Sequence, residues 1–483
     1  MSFNKKESKA LWWWLGFLTA LFIFLVLIRQ YSFDTHAYDL GIFDQGTWRY
    51  SRLEAPYSSI KEVNLLGDHF TLVLALAAPF YWIWNGPETL LVLQVLAIMS
   101  GAFPAYHLSR KYLKTNLCNY PPIFFTLFFG VQSALDFDFH TDTIAAAAFM
   151  WAVWAFEARY TARYLAFLGL ALLCKETFPV YLSFWALYAL ITRWHEPRQR
   201  YMHAGLFLGG FGLFFIELNL LIPLVAGHPY YYTDYGELGH SMSEVVNNSL
   251  QDPGKLLNAF FGEPSKRELW LIFFISCGGA LFFRPTLLLI LIPNVIERFL
   301  NPSPLRWLVY YHYSVILTPF YTYAIILALA TYERQNGRWG KFYLPKTLLK
   351  LGLAIILLLN AFVYAPLIRN GVTNIAYLFQ DRSSVWEALR LIPPEASVLA
   401  SDSLVPHLTH RETIATLLSP EVSQPDVITD YVIISLQVER NPIKQSQLAD
   451  EVNRFRQRAD YKLIYERNQN YIFCQIMPSA LVE

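Results

Sequence analysis

The 483-residue chain is 55% hydrophobic and 17% aromatic but only 16% charged, where a soluble domain carries roughly a quarter charged residues. A formal charge of +1, with no long basic block among the aromatics, gives no basis for nucleic acid as a partner. Cys118, Cys174, Cys277 and Cys474 have neither CxxC nor metal-type spacing, which argues against a zinc site and a disulfide framework.

A mean hydropathy of +0.30 points instead to an α-helical polytopic membrane protein. In chain order, a basic start is followed by about 18 apolar residues at 11–28, long for a signal-peptide core and lacking a small-residue cleavage site. This is a retained span that opens with Trp12, Trp13 and Trp14 at the interface. An outer loop at 31–69 follows and holds "YDLGIFDQGTWRY", with Asp34, Asp39 and Asp44. Segment 70–84 is about 15 residues long, contains Pro79 and runs into Asn85-Gly86-Pro87, so it reads as re-entrant or interfacial. The stretch 164–194, about 30 residues, exceeds one crossing, and Lys175-Glu176 marks a turn between two short spans.

Walking the remaining apolar runs gives about eleven spans, with basic residues at every second connection. These are Lys5, Lys6 and Lys9; Arg110, Lys111 and Lys114; Arg159 and Arg163; Arg193, Arg198 and Arg200; Arg284; and Arg334, Arg338, Lys341 and Lys346. The alternation predicts a cytoplasmic amino terminus with the aspartates outside; the expected location is a bacterial plasma (inner) membrane. The transmembrane domain is expected to occupy 1–366, and 367–483 to form a small soluble α/β domain on the extracytoplasmic face. There "ASVLASD" and "DYVIISL" read as strands, "QLADEVNRFRQRA" as an amphipathic helix and "YKLIYERNQNYIFCQI" as a hairpin turning at 468–470.

This topology gathers Asp34, Asp39, Asp44, Asp68, His69, Asp136, Asp138, His140, Asp142, Lys175, Glu176, His312 and Tyr313 at one face. Ionisable groups near membrane depth are costly and mark sites. On a helix Asp39 and Asp44 would lie about 140° apart, so one can face a cavity while the other braces the loop. His69 is either a cap partner of Asp68 or a cavity residue, and Asp136-x-Asp138-x-His140 leaves a divalent metal open. Lys175-Glu176 is either an internal ion pair or a cation for a lipid phosphate. Asp402, His407, His410 and Arg411 crowd one connection of the C-terminal domain, where they would hold an acceptor or cover the cavity.

The acidic first outer loop, the many spans and the outer C-terminal domain resemble the GT-C superfamily of membrane glycosyltransferases. More closely, "YDLGIFDQGTW", "GDHFTLVLALAAPFYWIW", "DFDFHTD", "LLCKETF", "HYSVILTPF" and "PPEASVLASDSLVPHLTHRE" resemble the polytopic family known as domain of unknown function 2079, over roughly 30–435. The resemblance implies that an acidic residue of the first outer loop, Asp39, acts as base with Asp44 in support. GT-C enzymes often carry an Asp-Glu pair there; here Leu40 follows Asp39, which leaves the metal requirement and the base open.

The implied donor is a sugar on a polyprenyl phosphate, whose tail stays among membrane lipid, and the acceptor is a glycan, lipid or protein. Its phosphate gathers charge as the bond breaks, and Lys175, with His140 or His312, would stabilise it; His69, Glu176 and Tyr313 complete the expected binding set. Two other classes remain: a transporter or lipid-handling protein, which would place its charges at the midplane of two related halves, and a non-catalytic scaffold, which needs no clustered acids.

Overall fold

The computed structural model describes residues 5–232, 234–339, 341–364, 366–417 and 427–476. Of the expected C-terminal domain, 418–426 and 477–483 lie outside the described residues.

The protein is mostly helical. Among the described residues five helices are long and apolar enough to cross a membrane: Lys9–Tyr31, Glu88–Tyr112, Pro197–Ala226, Pro304–Arg334 and Lys346–Leu378. Two shorter apolar helices, Thr161–Leu172 and Phe178–Thr192, flank the break at Lys175-Glu176. Segment 70–84 forms only the turns Leu74–Ala77 and Ala78–Trp82, the second with Pro79 in its first turn, and neither is long enough to cross. Elsewhere the apolar sequence is cut by identifiable residues. Tyr120–Leu127 stops at Phe128, whose ψ of 134° is not helical, and a new helix starts at Phe129. Asn360 sits in a π-helical turn, donating to Ile356 O and Ser276 O while its side-chain oxygen accepts from Phe129 N. Such insertions bend a helix without leaving backbone groups orphaned.

The chain divides into two compact units. The helical unit holds Met1–Ile23, Leu66–Val73 and Gln94–Asn370. The second unit holds Phe24–Leu65, Leu74–Leu93 and Gly371–Glu483, so the opening aspartates belong with the C-terminal region.

In the second unit five strands form a mixed sheet in the order Ile414–Leu417, Val398–Ser401, Tyr431–Ser435, Asn470–Gln475 and Tyr461–Arg467. The first three are parallel and the last two antiparallel to their neighbours. Val398–Ser401 and Ile414–Leu417 are buried along their whole length, as parallel strands covered on both faces must be. The hairpin turns at Asn468 and Gln469, both with positive φ (48° and 62°), the requirement of a two-residue hairpin that follows strand twist. Helix Pro442–Gln457, capped by the Asn441 side chain, packs Leu448, Val452 and Phe455 on Leu399, Val432 and Phe473.

Candidate functional site

In the helical unit the site grows from the break before Phe178–Thr192. Pro179 in the first turn of that helix fixes where it starts and leaves Lys175 and Glu176 in the preceding turn. Glu176 is fully buried. It accepts from His69 Nδ1 at 2.9 Å, Phe70 N at 3.2 Å and Tyr230 Oη at 2.9 Å. Burial would raise its carboxyl pKa, but the charge and hydrogen bond of His69, with Lys175 beside it, take it down to about 2. Asp68 accepts from Tyr231 Oη at 2.7 Å and Tyr232 Oη at 2.8 Å, and the Tyr232 ring stacks on His69 at 4.9 Å. His69 is therefore held by Glu176 and Tyr232.

Lys175 is 8% exposed and, among the described residues, makes no ion pair within 4 Å. Burial works against its charge, but the fields of Asp142, Glu297 and Glu176 more than offset this and lift its pKa above the usual lysine value. Two of these carboxylates have other donors: Glu176 has those just described, and Glu297 takes Tyr181 Oη at 3.2 Å and Arg306 Nη1 at 3.4 Å. Lys175 keeps its ammonium hydrogens for something else, a costly arrangement in a buried cation unless an anion or water completes it.

What it faces is a cavity of about 670 Å³. His69, Lys175, Glu176, Tyr230, Tyr232, Glu297 and Arg306 form its polar lining, and Val180, Phe184, Phe211, Phe214, Phe215 and Leu218 an apolar wall. The shape suits a ligand with an anionic head and a hydrocarbon tail. Behind Arg306, fully buried Arg298 donates to Arg306 O at 2.7 Å, Leu308 O at 3.1 Å and Ser314 Oγ at 2.7 Å. It clamps the backbone that carries Arg306 and His312.

Of the expected binding residues, His69, Lys175 and Glu176 line this cavity. His140 and His312 do not; their rings stack on each other at 3.6 Å, backed by Phe137, with the charges of Lys175, Arg306 and His69 acting on His312. Tyr313 packs on His312 at 4.2 Å and its carbonyl accepts from Asn294. Asp136 turns to Asn370 Nδ2 at 2.7 Å and Asp138 takes a positive φ of 57°. Among the described residues no three or more His, Cys, Asp or Glu side chains gather as a metal site. Sequence reasoning missed Arg306, Glu297, Tyr230 and Tyr232. An arginine inside the apolar run "LRWLVYYHYS" and the tyrosine triplet "PYYYTD" were the available signals.

In the second unit the aspartates are held one by one. Asp34 meets Arg29 at 3.5 Å, Arg440 at 3.1 Å and Asn374 Nδ2 at 3.0 Å. Burial would raise its pKa, but the two guanidinium groups outweigh it and the net direction is down. Asp39 lies half-buried in the π-helical turn Ala37–Gly41. Asp44, in the first turn of Ile42–Ser51, is fully buried; it accepts from Tyr81 Oη at 2.5 Å and from the Thr409 hydroxyl, with His410 Nε2 3.1 Å away.

Asp402 accepts from Ala37 N at 3.0 Å and lies 3.4 Å from His36 and 3.3 Å from Lys444. His407 takes Gln30 Nε2 at 3.3 Å, and Arg411 donates to Leu408 O, Pro393 O and Ala396 O. Asp402, His407 and His410 thus seat the 30–44 stretch one contact at a time instead of converging on one another.

No curated protein matches the chain. Among solved structures, ArnT from Cupriavidus metallidurans bound to undecaprenyl phosphate superposes with a TM-score of 0.51 at 12% identity, covering 96% of this chain and 98% of that one. Its apo form gives the same values. The oligosaccharyltransferase of Archaeoglobus fulgidus reaches 0.45 at 10% identity, over 97% and 75% of the two chains. The likeness to ArnT is one of fold. The family model described as "Predicted membrane protein (DUF2079)" matches residues 29–472, and the chain belongs to that family.

Proposed function

We propose that the protein is a GT-C-type membrane glycosyltransferase that moves a sugar from a polyprenyl-phosphate-linked donor to an acceptor at the outer face of a bacterial inner membrane. The observation that carries the reading is Lys175: a residue only 8% exposed that, among the described residues, makes no ion pair within 4 Å and lines a cavity with an aromatic and aliphatic wall. The ligand that completes it is a phosphate with a hydrocarbon chain. The shared fold with ArnT, which binds undecaprenyl phosphate, supports the same ligand class. On the expected topology of about eleven crossings, with an inside amino terminus and an outside C-terminal region, the opening aspartates would share the face that offers the donor's sugar.

In this scheme the acceptor oxygen attacks the anomeric carbon and the bond from that carbon to the phosphate oxygen breaks. Asp39 takes the hydroxyl proton. The departing lipid phosphate keeps the electron pair, and Lys175, Arg306 and His69 stabilise its charge as it forms. Asp44, already saturated by Tyr81, Thr409 and His410, fixes the loop that bears Asp39.

The test compares surface glycans and lipid-linked sugars of a deletion strain with those of strains restored with the wild type or with Lys175→Ala. Accumulation of a polyprenyl-phosphate sugar with loss of one surface glycan, reversed only by the wild type, is the expected result. Unchanged profiles in the deletion strain would sink the reading.

A further inference from the structure

A second cavity of the helical unit, about 350 Å³, lies between residues 115–120 and the opening turns of helix Lys346–Leu358. We infer that it binds the phosphate-bearing headgroup of an anionic membrane phospholipid, independently of the glycosyl-transfer site.

Its polar lining is cationic: Lys346 and Lys350 stand one turn apart on the same helix face, and among the described residues neither makes an ion pair within 4 Å. Tyr120 lines the same cavity and is itself 8% exposed, and its hydroxyl is buried without a hydrogen-bond partner. A buried hydroxyl in that state awaits an acceptor. The adjacent carboxylate, Glu333, turns to Lys114 N at 2.8 Å, Thr115 N at 3.2 Å and the Thr115 hydroxyl, and among the described residues makes no ion pair with either lysine within 4 Å.

The other wall is apolar. Leu353, Ala354 and Leu357 continue from the lysines down helix Lys346–Leu358, which opens a candidate span of hydropathy 2.3 whose apolar window is only 29% buried and so presents its side chains to lipid. A diester phosphate would accept from both ammonium groups and from Tyr120 Oη while its acyl chains run along the leucines. Basic pockets between membrane helices recognise anionic headgroups in this way. A zwitterionic lipid brings its own cation and gains less from the lysines.

The experiment uses the full chain purified in detergent, with retained lipid counted by native mass spectrometry after exposure to phosphatidylglycerol, phosphatidylcholine or inorganic phosphate. Phosphatidylglycerol should be retained over phosphatidylcholine, and excess inorganic phosphate should not displace it. Lys346→Gln with Lys350→Gln should cut that retention roughly 25-fold, about fivefold per lysine, with the thermal midpoint of the lipid-free protein unchanged. Tyr120→Phe should give a smaller loss, and the paired Arg substitutions should retain the lipid. Retention that survives the double substitution, or falls as far with Arg338→Gln and Lys341→Gln outside the cavity, would overturn the assignment. Displacement by inorganic phosphate would overturn it in favour of a small-anion site.

Discussion

The aspartates of the second unit and Lys175 of the helical unit are matched by their surroundings in opposite ways. In the second unit Asp34, Asp44 and Asp402 are each met by two or three donors from positions far along the chain. In the helical unit buried Glu176 and partly buried Glu297 take hydrogen-bond donors other than Lys175, and among the described residues the ammonium makes no ion pair within 4 Å. A saturated carboxylate holds a loop in one conformation; a cation with unused hydrogens is poised for a ligand. Under the proposed function the contrast separates residues that shape the protein from a residue that meets the donor.

The sharpest way to break this division is at Asp39, a half-buried aspartate of the opening stretch. Asp39→Asn should leave expression and donor binding intact while sugar transfer falls by about 100- to 10,000-fold, the range for a lost general base. Near wild-type transfer in Asp39→Asn beside an inactive, folded Asp44→Asn would move the base to Asp44 and erase the distinction drawn between them.

Asp44→Ala tests the saturated class. It strands Tyr81, Thr409 and His410, and a buried network that loses one charged partner is destabilised by about 3–5 kcal/mol. Chemical unfolding or thermal aggregation of the purified protein reads this loss, which should be present with and without donor. Lys175→Ala tests the other class: stability should hold, while donor affinity and turnover drop together by about 100- to 1,000-fold, as for removal of a single electrostatic stabiliser. Lys175→Arg should recover part of the affinity.

Glu176 gives a pH test. Its folded pKa of about 2 lies below the ordinary value of 4.5, so its contribution, on the order of 3 kcal/mol, is fully present above pH 4.5 and drains away as pH falls towards 2. The thermal midpoint should decline through that window, and Glu176→Gln should flatten the decline. At the small end stands an exposed pair of the second unit, Arg456–Glu466 at 2.6 Å with both side chains more than 40% exposed; Arg456→Ala should cost less than about 1 kcal/mol. A larger loss there would mean that surface pairs also brace this unit.

How much of this could be read beforehand follows the range of the interaction. The break at Lys175-Glu176 was legible because a length argument needs only the local run, and the turn at Asn468 and Gln469 because hairpin chemistry is local. Pairing across the chain was not legible. Glu176 finds His69 and Tyr230, 107 and 54 positions away, and Asp34 finds Arg440 and Asn374, partners that no spacing rule connects. For the same reason Asp402, His407 and His410, close in sequence, read as one cluster although each turns to a different residue of the 30–44 stretch. Arg306 was passed over because its connection was weighed for its histidine and tyrosine. His140 and His312 were expected in the binding set, yet their rings stack on each other and do not line the cavity.

The Arg298 clamp has a consequence for the speed of the reaction cycle. Its three hydrogen bonds to the 306–314 segment are formed once, when the chain folds, so Arg306 does not have to be ordered afresh by each arriving ligand. Ordering entropy that would otherwise weaken every encounter is absent from the binding step. A wall fixed in this way makes no gate, so under the proposed function the exchange of lipid falls to parts of the cavity lining that the clamp does not hold.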